Sequence, residues 1–324
     1  MNQSHAHQQS ASASASAISL PCLFSRKLTL RTLYTLLVAC VLVACSSGGG
    51  DDIFVSTVTV APASLGRSSV ITVSGSGFVQ GITVSPDTGC DDLKELAGGN
   101  NLTRQFSCTV SAIGELTIRV KSTIGREVAS VRFIVPEPEV TLTVSGLGPT
   151  DQQIVLALDG TRAPISTRNF LAYVNSGFYD GIIFHRVDTS NGVVQAGGFV
   201  GGLQSKAAER AAIPLESANG LSNLRGTLGM ARTSAPGSAT SQFYFNVRDN
   251  LGFDYQSDAA PGFAVFGRVT DGLAVIDRMA EAQVATLPVI GSDGKPIVDS
   301  SGRPVSLSNV PVQDITIRSA IQTR

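Results

Sequence analysis

The stretch FHRVDTSNGVVQAGGF, residues 184–199, sets His185 beside Arg186 and places Gln195 in a run of Gly and Val. A Ser-His-Asp or Cys-His site needs a histidine base steadied by a third group. Of the three histidines, His5 and His7 sit in a polar N-terminal stretch. That leaves His185, whose neighbour is a cation rather than a carboxylate. A metal centre would gather several His, Cys, Asp or Glu at ligand spacing; the sequence holds no such cluster, so neither metal nor cofactor is expected. Gly75-x-Gly77 followed by Gly81 lacks the dinucleotide-loop spacing and falls between strand-like runs. With 24 basic and 25 acidic residues the formal net charge is −1, so no basic field favours nucleic acid as a partner. What remains is Arg186, Gln195 and a high density of Phe and Tyr further along the chain.

The elements around them are legible from periodicity. QQIVLALDG alternates as a strand with Ile154, Leu156 and Leu158 on one face. APISTRNFLAYVNSG predicts a helix, with Pro164 in its first turn, an apolar stripe of Phe170, Leu171 and Val174, and Gly177 as a left-handed stop. DGLAVIDRMAEA predicts a second helix with Asp271 as N-cap and Leu273, Ile276 and Met279 on one face. Residues 242–247 and 263–269 read as strands, VQDITIRSA as a closing strand and GSDGKPIVDSSGRP as a loop. Two short helices among many strands predict an α+β or barrel fold with helices at its ends. Upstream, residues 53–136 read as all-β. Ile71 and Val73 alternate in SSVITVSGSG, Leu116, Ile118 and Val120 in GELTIRVKS, and Val131, Phe133 and Val135 in ASVRFIV. A small sandwich similar to immunoglobulin-like modules is the expectation. PEPE, residues 136–139, reads as a stiff hinge before the second domain.

Five blocks in order carry a family resemblance: NFLAYVNSGFYDGIIFHRV, VVQAGGF, ANGLSNLRGTLGMART, SATSQFYFNV and FAVFGRV. Together they resemble cyclophilin-type peptidyl-prolyl cis–trans isomerases, nearest the exported bacterial branch, over about residues 153 to 317. The resemblance implies a mainly β fold: a closed eight-stranded barrel capped by two helices, preceded here by the small sandwich, with an outer groove for an extended X-Pro segment. It implies that Arg186 is the catalytic arginine and Gln195 the residue that holds the substrate backbone. Tyr244, Phe253, Phe263 and Phe266 fall at or beside the proline pocket, Phe266 with a plain core role as the alternative. Met230, Ala231 and Gln242 fall at the groove, and His185 reads as structural. The chain also departs from the family pattern. One residue is inserted between Arg186 and Gln195. Gly192 stands where an aromatic is usual, Val193 where Met is usual, and Ala196 replaces a Gly. Gly252 takes the place of a Trp or Phe, with Phe253 next to it.

The N-terminus carries a separate message. Arg26, Lys27 and Arg31 precede the apolar run LYTLLVACVLVAC, which is too short to span a bilayer. Leu42-Val43-Ala44-Cys45 resembles the lipobox of bacterial lipoproteins, in which the Cys is lipidated and begins the mature chain. Leu37-Val38-Ala39-Cys40 fits the same pattern, but Cys45 leaves the longer apolar run and the tether SSGGGDD behind it. An ordinary cleaved signal or a membrane anchor are the alternatives, and the 25 residues before the charges allow a start further downstream. Removing residues 1–44 takes away three basic and no acidic residues and leaves a net charge of −4. Lipid would then supply the membrane affinity. An exported compartment is oxidising, so a Cys90–Cys108 disulfide is expected, with two buried thiols as the alternative.

The organisation expected is therefore a leader (1–44), a flexible tether (45–52), an immunoglobulin-like domain (53–136) and a cyclophilin-like isomerase domain (137–324). The expected function is isomerisation of X-Pro bonds in exported proteins, assisting their folding from a lipid-anchored, periplasm-facing position. Ser46 after Cys45 leans to the outer membrane by resemblance to lipoprotein sorting rules. The competing readings are a module that grips proline-containing segments with weak catalysis, and an envelope scaffold in which residues 53–136 do the binding.

Overall fold

The computed structural model describes residues 53–324, which fall in one compact unit. The leader, the tether and Cys45 lie outside the described residues.

Seven strands come first: β1 (Phe54–Ala61), β2 (Ser68–Ser76), β3 (Ile82–Pro86), β4 (Cys90–Glu95), β5 (Thr103–Val110), β6 (Gly114–Ser122) and β7 (Glu127–Val135). They form two antiparallel sheets, β1-β2-β5-β4 and β3-β6-β7. The alternation read from the sequence is the burial pattern observed. Ile71, Val73, Ile118, Val120 and Val131 are at most 2% exposed and belong to one apolar core. Cys90 and Cys108 are joined in a disulfide with their Cα atoms 5.4 Å apart.

The chain continues through β8 (Glu139–Ser145), β9 (Gln152–Leu158), α1 (Pro164–Asn175), β10 (Ile182–Asp188), β11 (Val193–Val200), the two-residue β12 (Gln204–Ser205), β13 (Thr227–Met230), β14 (Phe243–Asn246), β15 (Val265–Asp271), α2 (Leu273–Ala280), β16 (Val284–Pro288), β17 (Ser306–Pro311) and β18 (Thr316–Gln322). Eight of these strands close a barrel in the order β10-β18-β8-β9-β15-β13-β14-β11, with β11 pairing back to β10. The barrel opens with β8, a strand that starts within PEPE itself and that the hinge reading passes over. Its Val140, Leu142 and Val144 are fully buried. The barrel interior is aromatic: Phe170 of α1 meets Phe243 and Phe266 at ring separations of 5.2 and 5.4 Å, and Phe184 meets Phe245 at 6.0 Å.

Helix α1 runs as its stripe predicts, with Pro164 in the first turn and Gly177 at φ 73° beyond its end. Helix α2 starts differently from the expectation. Asp271 still belongs to β15, where it pairs with Val155, and the N-cap is Gly272 at φ 87°. A side chain at 272 would collide with the carbonyl of Gln153, so the close approach selects glycine over an Asp cap. Residues 291–304 form the loop expected, crossed only by the isolated bridges Ile290–Pro296 and Val298–Pro304.

Candidate functional site

The site follows from strand register. In β10 and β11, Arg186 lies directly opposite Gln195; in β11 and β14, Gln195 lies opposite Tyr244; in β13 and β14, Tyr244 lies opposite Gly229. Directly opposed residues share a face and stand about 5 Å apart. The pairing therefore lays Arg186, Gln195 and Tyr244 in one row on the outer wall, ending at a glycine. Residues two apart on a regular strand share a face, so Phe184, which faces the interior, would carry Arg186 inward with it. A slip in register between Phe184 and Arg186, where β11 advances only from Ala196 to Gln195, breaks the parity and turns the arginine outward.

A pocket of about 160 Å3 opens on this row. Arg186, Val193, Gln195, Ala231, Tyr244, Phe253 and Phe263 are among the residues that line it. The three aromatic rings stand edge-on or tilted, with centroids 5.3 to 6.3 Å apart. Polar bonds behind them fix the walls. The Tyr244 hydroxyl donates to Asn223 Oδ1 at 2.7 Å, and Asn223 donates from its backbone N and Nδ2 to Asp254 Oδ1 at 2.7 and 2.9 Å. Phe263 N donates to Phe253 O at 2.8 Å. Burial, reinforced by the charge of Asp254, holds the Tyr244 hydroxyl protonated far above its ordinary range. The walls are thus preformed and apolar, with a hydrogen-bonding rim.

On the rim, Arg186 Nη1 donates to Gln195 Oε1 at 3.3 Å and Nη2 to Asp188 Oδ2 at 2.5 Å. Gln195 passes the chain on, donating from Nε2 to Gln242 Oε1 at 2.8 Å. Gln242 therefore supports the row from outside the pocket. Arg232 lies over the Phe263 ring, 4.6 Å from its centroid, and donates to the carbonyl of Gly262. Asp188, only 3% exposed, accepts from Ser190 Oγ (2.6 Å), Asn191 N (3.0 Å) and Asn191 Nδ2 (2.7 Å) as well as from Arg186. Burial alone would raise its pKa, but these bonds and the arginine charge bring it well below the ordinary carboxylate range.

Three sequence assignments are corrected or sharpened by this geometry. Met230 pairs with Phe243 and so faces the barrel interior, 1% exposed, rather than the groove. Phe266 is fully buried against Phe170 and lines no part of the pocket. His185 is 3% exposed, packs against Phe199 at 4.7 Å, and its Nδ1 has no hydrogen-bond partner. Burial lowers its pKa to about 4, partly opposed by a backbone hydrogen bond with Ile183 and aided by the charge of Arg186. It is a neutral imidazole outside the pocket. The sequence reading did not single out Asn191, Arg232, Asn223 or Asp188. The run Asp188-Thr-Ser-Asn191 was a readable signal, because Asp followed by Ser and Asn favours a side-chain-capped turn.

At Gly192 the φ of 64° is left-handed, and a Cβ there would meet the Arg248 side chain at 2.6 Å. The space of the expected aromatic is thus taken by Arg248, whose Nη2 donates to the carbonyl of Ser190. At Gly252 a Cβ would touch nothing within 4 Å, and the neighbouring Phe253 provides the wall instead.

The family model for cyclophilin type peptidyl-prolyl cis-trans isomerases matches residues 140–320, more than half of the chain. Peptidyl-prolyl cis-trans isomerase A of Dickeya dadantii is 48% identical over 152 residues, spanning 46% of this chain and 78% of that one. Peptidyl-prolyl cis-trans isomerase B of Escherichia coli is 42% identical over 169 residues, spanning 51% and 91%. A crystal structure of a cyclophilin type isomerase from Cryptosporidium parvum is 21% identical with a TM-score of 0.40, covering 58% of this chain and 98% of that one. An apolar pocket beside an arginine contains nothing that must bond covalently to a substrate, and the chain that builds it belongs to the cyclophilin-type peptidyl-prolyl cis-trans isomerases.

Proposed function

We propose that the pocket seats the proline ring of an X-Pro segment and that Arg186 is the catalytic residue. The observation that carries this is the row Arg186–Gln195–Tyr244, which puts a fixed cationic donor at the edge of a ring-sized apolar pocket. A cavity of roughly 150 Å3 accommodates a benzene ring, so the pyrrolidine ring fits the volume found. The chemistry asked of the site is modest. Isomerisation breaks no σ-bond; its barrier of about 18–20 kcal/mol is lost amide resonance. As the bond twists, the amide nitrogen becomes pyramidal and gains a lone pair. A donor aimed at that lone pair acts on the transition state and not on the planar ground state. Arginine suits the task because it stays charged and offers five donors in a fixed fork, of which two are engaged by Gln195 and Asp188. Gln195 then steadies the acyl side of the segment. In this reading Tyr244, Phe253, Phe263 and Ala231 hold the ring, and Gln242 supports Gln195.

We further infer that the protein is exported and lipidated at Cys45. The leader and lipobox-like run support this, and the disulfide at Cys90–Cys108 suits an oxidising compartment. Among the described residues no helix is long and apolar enough to cross a membrane. Residues 53–136 would then act as a spacer, and the clients would be exported polypeptides for which proline isomerisation is a slow folding step. A reading as a proline-gripping module with weak turnover draws on Gly192 and Gly252, where the aromatic side chains of the family pattern are missing.

The test is cis–trans exchange of a proline peptide with the purified protein. Arg186→Ala is expected to lower kcat/KM about a hundredfold, the usual effect of removing one transition-state donor. Equal rates for the two proteins would overturn the assignment, and binding without exchange would favour the gripping module.

A further inference from the structure

Arginine is a poor catalyst unless something holds it. Its long side chain has many rotamers, and a donor that wanders stabilises a transition state only part of the time. The side chain of Arg186 is 41% exposed, so packing alone does not fix it. Gln195 restrains one end of the fork at 3.3 Å, a long bond. The shorter contact, at 2.5 Å, is to Asp188.

Asp188 is built to be a fixed point. It ends β10, and its carboxylate is buried beneath the turn that carries the chain to β11. Its Oδ1 accepts from Ser190 Oγ and Asn191 N, and its Oδ2 from Asn191 Nδ2 and Arg186 Nη2. All four partners are donors. Only an acceptor-only group satisfies them, so an amide in this place would turn its NH2 toward other donors. The turn is itself secured: Arg248 lies across Gly192 and donates to the carbonyl of Ser190, Val247 N donates to Gly192 O at 2.9 Å, and Asn250 Nδ2 donates to the same carbonyl at 3.2 Å. The extra residue between Arg186 and Gln195 gives the turn the length to fold its first carboxylate underneath. Rigidity therefore passes from the β14 side, through the turn, into the carboxylate and on to the guanidinium.

We propose that Asp188 is a positioning residue for the isomerase reaction: it fixes the Arg186 guanidinium at the pocket edge and so sets kcat. This rests on the reading of Arg186 as the donor. The cost of such a clamp is that a carboxylate draws on the charge of the guanidinium; the benefit is orientation, the larger effect where a donor must meet one lone pair.

The experiment is a double-mutant cycle on the full protein, with kcat and KM taken from exchange at several peptide concentrations. Asp188→Asn is expected to lower kcat about tenfold with KM within about twofold. In an Arg186→Ala background the same change is expected to leave the residual rate unaltered. A wild-type measurement needs no variant: the Arg186 guanidinium should show separate, slowly exchanging Nη proton signals, collapsing to one average in Asp188→Asn. If Arg186→Ala itself leaves the rate unchanged, the reading of the site falls and this inference with it. If Arg186→Ala lowers the rate but Asp188→Asn does not, or lowers it equally in both backgrounds, only the positioning role is overturned. Averaged Nη signals in the wild type would overturn it too, even should Asp188→Asn fail to fold.

Discussion

His185 and Arg186 are adjacent and chemically unlike, and pH separates their roles. The His185 pKa falls from the ordinary 6.5 to about 4, chiefly through burial. The folded state therefore holds this proton less tightly than the unfolded chain. Stability from His185 is full above pH 6.5 and is lost as pH falls toward 4. A shift of that size corresponds to a loss on the order of 3 kcal/mol. The carboxylates with lowered pKa values, Asp87, Asp188 and Asp299, lose their contribution in the same direction, with falling pH, but only as it drops below the ordinary carboxylate range. The interval from pH 6.5 to 4 thus reports on the imidazole. Denaturant titrations should show the midpoint falling over that interval in the wild type and a flatter profile in His185→Gln. Activity should behave differently. With the chemistry on an arginine, kcat/KM of the folded protein is expected to stay level from pH 8 down through pH 4, whereas a His185 base would produce a fall as pH drops through its own pKa of about 4.

The strands β13 and β14 show how an element sets a site. Gly229 faces Tyr244 across the ladder, and a Cβ at 229 would run into the ring and hydroxyl of that tyrosine. The ring has no easy retreat, because its hydroxyl is held by the fully buried Asn223. Gly229→Ala should therefore push Tyr244 into the pocket and raise KM for a proline peptide about tenfold, near 1.4 kcal/mol of binding, while circular dichroism stays unchanged. A KM within twofold of wild type would show that the pocket tolerates the shift. The same ladder explains what could be read in advance. Alternation is a local property, so Ile118 and Val120, or Ile154 and Leu156, declare their buried face without help. Register is not local. The family resemblance puts Met230 at the groove, yet its partner Phe243 commits it to the core. The outward turn of Arg186 depends on a slip against β11 that no pattern within β10 announces. The family resemblance supplied Arg186 and Gln195; the clamp on Arg186 came only from the fold, because the inserted turn lies where the family pattern stops applying.

The Pro-rich stretch 136–139 read as a hinge, and the contacts around it bear on how the molecule unfolds. Glu137 accepts from Gly160 N and Thr161 Oγ1, both at 2.8 Å, tying the stretch to the turn between β9 and α1. Gln322, at the end of β18 and 5% exposed, donates from Nε2 to the carbonyl of Leu65 at 3.1 Å and accepts from Asn175 at 2.9 Å. Arg67 donates to the carbonyl of Gln322 at 3.1 Å. The buried apolar cluster runs without a break from Val55 to Ala320, with Leu65 packed near Gly160. Cooperativity follows from shared burial: when one region opens, the other loses apolar contacts and leaves the Leu65 carbonyl without its donor. Denaturant unfolding should therefore follow one transition whether monitored by near-ultraviolet signals from Tyr173 and Tyr179 or by backbone ellipticity. Gln322→Ala removes a buried donor and acceptor together, and it should lower stability by about 1–3 kcal/mol through the groups left unpaired. Two separated transitions in the wild type would favour the hinge reading. Two transitions in Gln322→Ala alone would place most of the coupling on that one side chain.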